Sequence, residues 1–197
     1  MRSSAASDVY KRQFFGKEFA HTIGTAYGYI VKKFRMTQEL IDKIQHHPED
    51  RRMVMTLWQN DYLDTAVLPS CVWSSEWDVT NGKLNCWVHQ RSCDVPLGLP
   101  FNVTQYAVLL CMLAHVSGLK PGTIDWSIKD AHIYVNQADG IREQLRRFKE
   151  NGDLPAPELW LNPQVKDFFA FDNSRDIKDI KLVNYQHMGK ITFPLSQ

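Results

Sequence analysis

The sequence predicts an α+β fold, a large mixed β-sheet layer with a buried central helix and flanking helices, on three observations. Residues 72–91 form two runs rich in β-branched and aromatic residues around Asn81-Gly82, a pair suited to a two-residue hairpin turn. Residues 102–117 are apolar nearly all round, as a helix inside a core is. In DWSIKDAHIYV, residues 125–135, the side chains of Trp126, Ile128, Asp130, His132 and Tyr134 share one strand face that turns from apolar to polar halfway along. Such a strand runs from a core into a binding site.

Taken in order, residues 1–13 (MRSSAASDVYKRQ) carry neither helical nor strand periodicity and no apolar segment of the secretory kind, so they are expected to be a disordered or foreign prefix to a domain over 14–197. Thr37 is placed to cap a helix over 37–47, with Leu40, Ile41 and Ile44 on one face and Pro48 stopping it. MVMTLW, residues 53–58, predicts a buried strand. In the hairpin, Trp73, Ser75, Trp77 and Val79 alternate onto one face, and Gly118 is placed to end the apolar helix. A helix over 137–149 follows, then strands at 158–161, 167–171 and 180–185.

The chain has 197 residues, 44% of them hydrophobic and 12% aromatic, which is enough for one domain with a sizeable core. With 23 basic against 22 acidic residues the net charge is +1, so no global field draws nucleic acid or an anionic membrane, and any phosphate recognition must be local. No apolar run reaches the roughly 20 residues that cross a bilayer. Cys71, Cys86, Cys93 and Cys111 lack the close spacing of a structural zinc site, so reduced thiols, no metal and a cytoplasmic setting are expected.

The chemistry concentrates in two stretches. LPSCVWSSEW, residues 68–77, puts Cys71 where a loop enters a strand, which suits either an inert packed thiol or a presented nucleophile. QRSCDVPLGLPFN, residues 90–102, sets Arg91, Ser92, Asp94 and Asn102 among Leu97, Gly98, Leu99, Pro100 and Phe101. Polar groups of four kinds in a segment that otherwise reads as core each need a partner, and a bound ligand supplies them economically.

These stretches, with DRRMVMTLW (50–58) and DAHIYVN (130–136) in the same order, resemble the thymidylate synthase family from about residue 22 to near the C-terminus. The resemblance implies a thymidylate synthase-like fold and the reductive methylation of dUMP to dTMP, with 5,10-methylenetetrahydrofolate giving the one-carbon unit and the hydride and leaving as dihydrofolate. It implies that Cys71 adds to C6 of the uracil ring, that Tyr27 handles a proton at C5, and that Asn102 reads the base. Arg91 and Ser92 would hold the nucleotide phosphate, with Arg51 and Arg52 reaching it from the partner subunit of a homodimer. His132 and Tyr134 would bind the sugar 3′-hydroxyl. Asp94 would lie against the base and accept hydrogen bonds from the folate, beside a wall of Leu97, Gly98 and Phe101, with Ser196 near the cofactor. No membrane or specific nucleic acid is implied as a partner.

Two departures from the family pattern stand out. Ser70 and Val72 flank Cys71 where the family usually has proline and histidine. The upstream catalytic glutamate, cofactor tryptophans and phosphate-binding arginine loop of the family have no match, which leads to the expectation of an incomplete synthase, inactive by itself. Two rivals remain open: a dUMP or dCMP hydroxymethylase of the same fold, and a non-catalytic nucleotide-binding relative.

Overall fold

The computed structural model describes residues 22–174, 176 and 178–195. Its centre is a four-stranded sheet built from β1 (Val54–Thr56), β2 (Val72–Thr80), β3 (Lys83–Gln90) and β5 (Lys120–Ile128), in the order β1-β2-β3-β5. Neighbours β1, β2 and β3 are antiparallel, while β5 joins β3 in parallel. The sheet is therefore mixed, as expected. The parallel step is bridged by α3 (Gly98–Val116), because parallel neighbours need a crossover that carries the chain back over the sheet. Two further pairs lie outside it: β4 (Cys93–Asp94) with β6 (Ala131–His132), and β7 (Glu158–Leu161) with β8 (Ile180–Val183). Helices α1 (Gly28–Lys33), α2 (Met36–His46) and α4 (Ala138–Asn151) complete the elements.

The hairpin forms as read, and Asn81 and Gly82 take φ of 52° and 71°, the left-handed pair that matches the twist of its strands. The core lies between this hairpin and α3. Leu84 and Val88 from β3, Trp77 from β2, and Tyr106, Leu110, Leu113 and Ala114 from α3 are buried there, with Leu40 and Ile44 of α2 against Met53 and Met55. Tyr106 stacks on Trp77 and meets Trp126 edge-on, so three aromatic rings pin helix to sheet.

Several expectations are corrected. Helix α2 starts at Met36, capped by Arg35 in the left-handed region, and Thr37 lies inside it with its side chain buried, because packing of Met36 on the core fixes the start. Of residues 53–58 only Val54–Thr56 form a strand, at the sheet edge and buried on one face: Met53, Met55 and Leu57 are buried and Val54 is exposed. A register irregularity between Val72 and Ser74 turns Trp73 to the exposed face, off the side shared by Ser75 and Trp77. The apolar helix begins at Gly98 and is buried along one face only, with Phe101 75% exposed. At 19 residues it also meets the length and apolarity of a membrane span, against the expectation that no segment does. Its buried face, Tyr106, Leu110, Leu113 and Ala114, packs on the sheet.

The alternation over 125–135 belongs to two strands. β5 starts at Lys120, an edge position that tolerates Pro121, and ends at Ile128. The chain steps at Lys129 and Asp130 onto β6, because β3 has turned away at Arg91 and its parallel partner must follow it. Residues 168–170 form a short 3-10 turn, not a strand, since the Asp167 side chain accepts the Phe169 N–H and caps it.

Candidate active site

The open end of the β2–β3 hairpin gathers most of the predicted residues. Cys71 immediately precedes β2 and Arg91 immediately follows β3, and the Arg91 N–H donates to the Cys71 carbonyl at 2.8 Å. The thiol is half-buried and unbridged. The Arg91 guanidinium donates to the carbonyls of Ser70 (3.1 Å) and Pro69 (2.8 Å) and lies 5.7 Å from the centre of the Trp58 ring. Two of its five N–H groups thus aim the cation at the cysteine loop.

Ser70 and Val72, which depart from the family pattern on either side of Cys71, are both buried. Ser70 serves Arg91 through its carbonyl, an atom that any residue supplies.

Tyr27 comes to the same point from the other side. Its hydroxyl accepts the Cys71 backbone N–H at 2.9 Å, and burial raises its pKa. The ring reaches that far because the segment before α1 is strapped down: Gly24 bridges Ala66, the Val67 N–H donates to the Ile23 carbonyl, and Thr25 bonds both Tyr62 and Thr65. Gly24 has φ of +76°, and a Cβ there would stand 2.4 Å from the Thr65 carbonyl oxygen, so only glycine permits this approach. Tyr27 itself holds φ of 44°, a conformation that costs on the order of 1–3 kcal/mol in a non-glycine residue. Strain of this kind persists where neighbouring structure over-determines it.

Asn102, in the second turn of α3, is positioned by a residue that sequence reading missed. Gln90 is 2% exposed and its Nε2 donates to Asn102 Oδ1 (3.1 Å) and to the Ser92 carbonyl (2.9 Å), while its Oε1 accepts the Trp126 indole N–H (2.9 Å). The available signal was a glutamine ending the inward face Leu84, Cys86, Val88, Gln90, where a polar residue must have buried partners. Trp58, beneath Arg91, carried no such signal.

Asp94 and His132 are register partners across β4 and β6, which brings the two predicted ligand-binding stretches together. Asp94 Oδ1 accepts the Leu97 N–H (3.1 Å) at the entry to α3, and Oδ2 accepts from buried Gln137 (2.9 Å). Gly98 sits between Asp94 and Asn102, and Phe101 projects into solvent beside them. His132 lies 3.5 Å from the Asp130 carboxylate and edge-on to the Tyr134 ring. Ser92 is half-buried in the turn joining β3 to β4.

Two predicted residues stand apart and a third falls outside the described residues. Arg51 and Arg52 precede β1, whose Val54 is registered with Glu76, so they lie near the far end of β2, roughly 20 Å from Cys71 at about 3.3 Å per strand residue. Both are exposed, and Arg52 is held by Asp50 at 2.9 Å. Ser196 lies outside the described residues. Cys86 and Cys93 are buried, and burial pushes both thiols up. Among the described residues no three His, Cys, Asp or Glu side chains gather as a metal ion would require.

Fold and site together define an α+β protein that presents a cysteine and an arginine at the open end of one hairpin, with polar side chains on the adjoining elements. A family model described as thymidylate synthase matches residues 8–197. The chain is 50% identical to the thymidylate synthase of Clostridium beijerinckii over 175 residues, 89% of this chain and 64% of that one. It is 39% identical to the thymidylate synthase of Bacillus atrophaeus over 181 residues, 87% of this chain and 76% of that one. A solved structure, the thermostable thymidylate synthase A from Bacillus subtilis, matches 96% of this chain and 71% of its own with a TM-score of 0.80 at 37% identity. The chain belongs to the thymidylate synthase family, and it spans somewhat under two thirds of the length of the Clostridium relative.

Proposed function

We propose that this chain carries the nucleotide-binding and nucleophilic part of a thymidylate synthase, which methylates dUMP reductively to dTMP. The observation that carries the reading is the meeting of Cys71, Arg91 and Tyr27 at one end of the hairpin, with Asp94, Asn102 and His132 on the adjoining elements. In this reading the Cys71 thiolate adds to C6 of the uracil ring and leaves C5 as the nucleophilic carbon. Asn102 offers an amide acceptor to N3–H and an amide donor to O4, in an orientation held by Gln90. Arg91 and Ser92 take the phosphate, and His132 and Tyr134 the sugar hydroxyl. Tyr27 assists the proton at C5.

The residues present fit a folate. Asp94 offers a half-buried carboxylate already oriented by two donors, and exposed Phe101 offers an aromatic face next to it. When bound, 5,10-methylenetetrahydrofolate supplies the one-carbon unit and the hydride. Leu97 and Gly98 complete that wall, Ser196 is proposed beside it, and the reaction belongs in the cytoplasm.

The protein works as a homodimer in this reading. Arg51 and Arg52 stand too far from Cys71 to serve their own chain's phosphate, which supports their serving the partner's. On the sheet face away from α3, exposed Trp73 and Trp87 flank His89, a surface suited to a second copy.

The test uses this chain with the upstream segment of the Clostridium relative grafted before His21. Incubated with 5-fluoro-dUMP and methylenetetrahydrofolate, it should form a stable covalent adduct on Cys71, because fluorine cannot leave C5 as the proton does. An adduct mapped to Cys86, Cys93 or Cys111, or none at all, would overturn the reading. With dUMP itself, product mass separates methyl transfer from hydroxymethyl transfer.

A further inference from the structure

Gln137 ends the 3-10 turn Val135–Gln137 and immediately precedes α4. Its side chain is 0% exposed and is satisfied at both ends. Nε2 donates to Asp94 Oδ2 at 2.9 Å and to the Pro194 carbonyl at 3.2 Å, and Oε1 accepts the Tyr134 N–H at 3.2 Å. The other oxygen of Asp94 accepts the Leu97 N–H at 3.1 Å. One amide thus touches the C-terminal segment, the Asp94 carboxylate and the Tyr134 turn.

The C-terminal segment reaches Gln137 along α4. Arg147, held by Glu143 at 2.7 Å, donates to the carbonyls of Met188 (2.8 Å) and Gly189 (2.9 Å). Further on, the Phe193 ring lies on Gly140, where a Cβ would stand 2.4 Å from it.

We infer that Gln137 is a positioning residue that couples docking of the C-terminal segment, residues 188–195, to the orientation of the Asp94 carboxylate and the Tyr134 turn. With the segment docked, the Pro194 carbonyl engages the Gln137 amide nitrogen and helps fix the amide plane, which aims its donor at Asp94 Oδ2. With the segment away, a buried donor loses a partner, the amide turns to recover one, and Asp94 loses the restraint that keeps it on Leu97. Coupling of this kind is reciprocal, so whatever fixes Asp94 also tightens the segment. The functional meaning rests on Asp94 and Tyr134 being ligand-binding residues; the coupling itself does not.

Amide hydrogen exchange on the 197-residue chain without ligand tests the coupling. Gly140→Ala pushes on Phe193 from outside the network. It should speed exchange at least tenfold at residues 189–193 and also at the Leu97 N–H, with the β2–β3 hairpin unchanged. Gln137→Leu should release the same two places. Gln137→Glu sets a second carboxylate against Asp94 and should release both at neutral pH, but regain protection in acid, where a protonated glutamate can donate to Asp94; a merely space-filling side chain would show no such recovery. A released segment with the Leu97 amide unchanged in Gly140→Ala would overturn the coupling, as would unchanged exchange at both places in Gln137→Leu. If Gln137→Leu also loses hairpin protection it reports global unfolding, and Gly140→Ala decides. Coupling observed in a protein that fails to bind dUMP would count against the site's ligand and leave the link standing.

Discussion

At the scale of single residues, Asn102, the proposed base reader, shows how much of a side chain's role is set by the groups behind it. Its oxygen is identified by the donor it faces, Gln90 Nε2, and Gln90 is fixed in turn by the Trp126 indole. Asn102→Asp keeps an acceptor for Gln90, so the fold should survive, while uracil O4 loses its donor and the 4-amino group of cytosine gains an acceptor. The dUMP:dCMP ratio of kcat/KM, measured in the grafted protein, should fall by about 5- to 150-fold, the range of 1–3 kcal/mol for an unpaired polar group. An unchanged ratio would show that another residue selects the base. Cys71, Arg91, Asp94 and Asn102 were legible because their chemistry is unusual among apolar neighbours. Gln137 was not, since nothing in its own sequence surroundings marks a glutamine at a helix start as fully buried.

Elements were legible where one segment dictates its own form and obscure where a partner dictates it. The hairpin needs only Asn81-Gly82 and two alternating runs. The break after Ile128 follows from the turn β3 makes at Arg91, some forty residues earlier, and no pattern within 125–135 records it. That β3–β5 junction is also closely packed. A Cβ on Gly122 would lie 2.0 Å from Asn85 Oδ1 and 2.7 Å from the Leu84 carbonyl. Gly122→Ala should therefore cost about 1–3 kcal/mol, read from the urea midpoint at constant slope. Helix α4 gives a pH prediction. Bonds from Arg146 and Arg147 lower the Glu143 pKa from 4.5 to about 2. Its folded-state pKa is depressed, so its contribution is present above 4.5 and is lost as pH falls through about 2. Glu143→Gln should flatten the pH dependence of stability in that window and lower stability slightly at neutral pH, where the carboxylate's contribution is present, as acid titration followed by circular dichroism would show.

On the scale of the whole molecule, the sheet has α3 on one side and exposed tryptophans on the other, and the proposed homodimer would cover that second face. Trp87→Glu places a charge on the open face and should shift sedimentation from dimer to monomer. Grafted Cys71→Ala and Arg52→Glu proteins, each inactive, should recover part of the activity when mixed, since a heterodimer has one site free of both defects. No recovery under demonstrated subunit exchange would place the arginines at their own chain's site. The mixed sheet also orders events in time. The hairpin carries Cys71 and Arg91 at its ends, and closing it joins residues near in sequence, a step of about 1–10 μs. The parallel pairing of β3 with β5, which brings Asp94 beside His132, must wait for α3 to cross the sheet. Cys71 and Arg91 thus become neighbours early in folding, and the remainder of the proposed site is assembled around a pair already made.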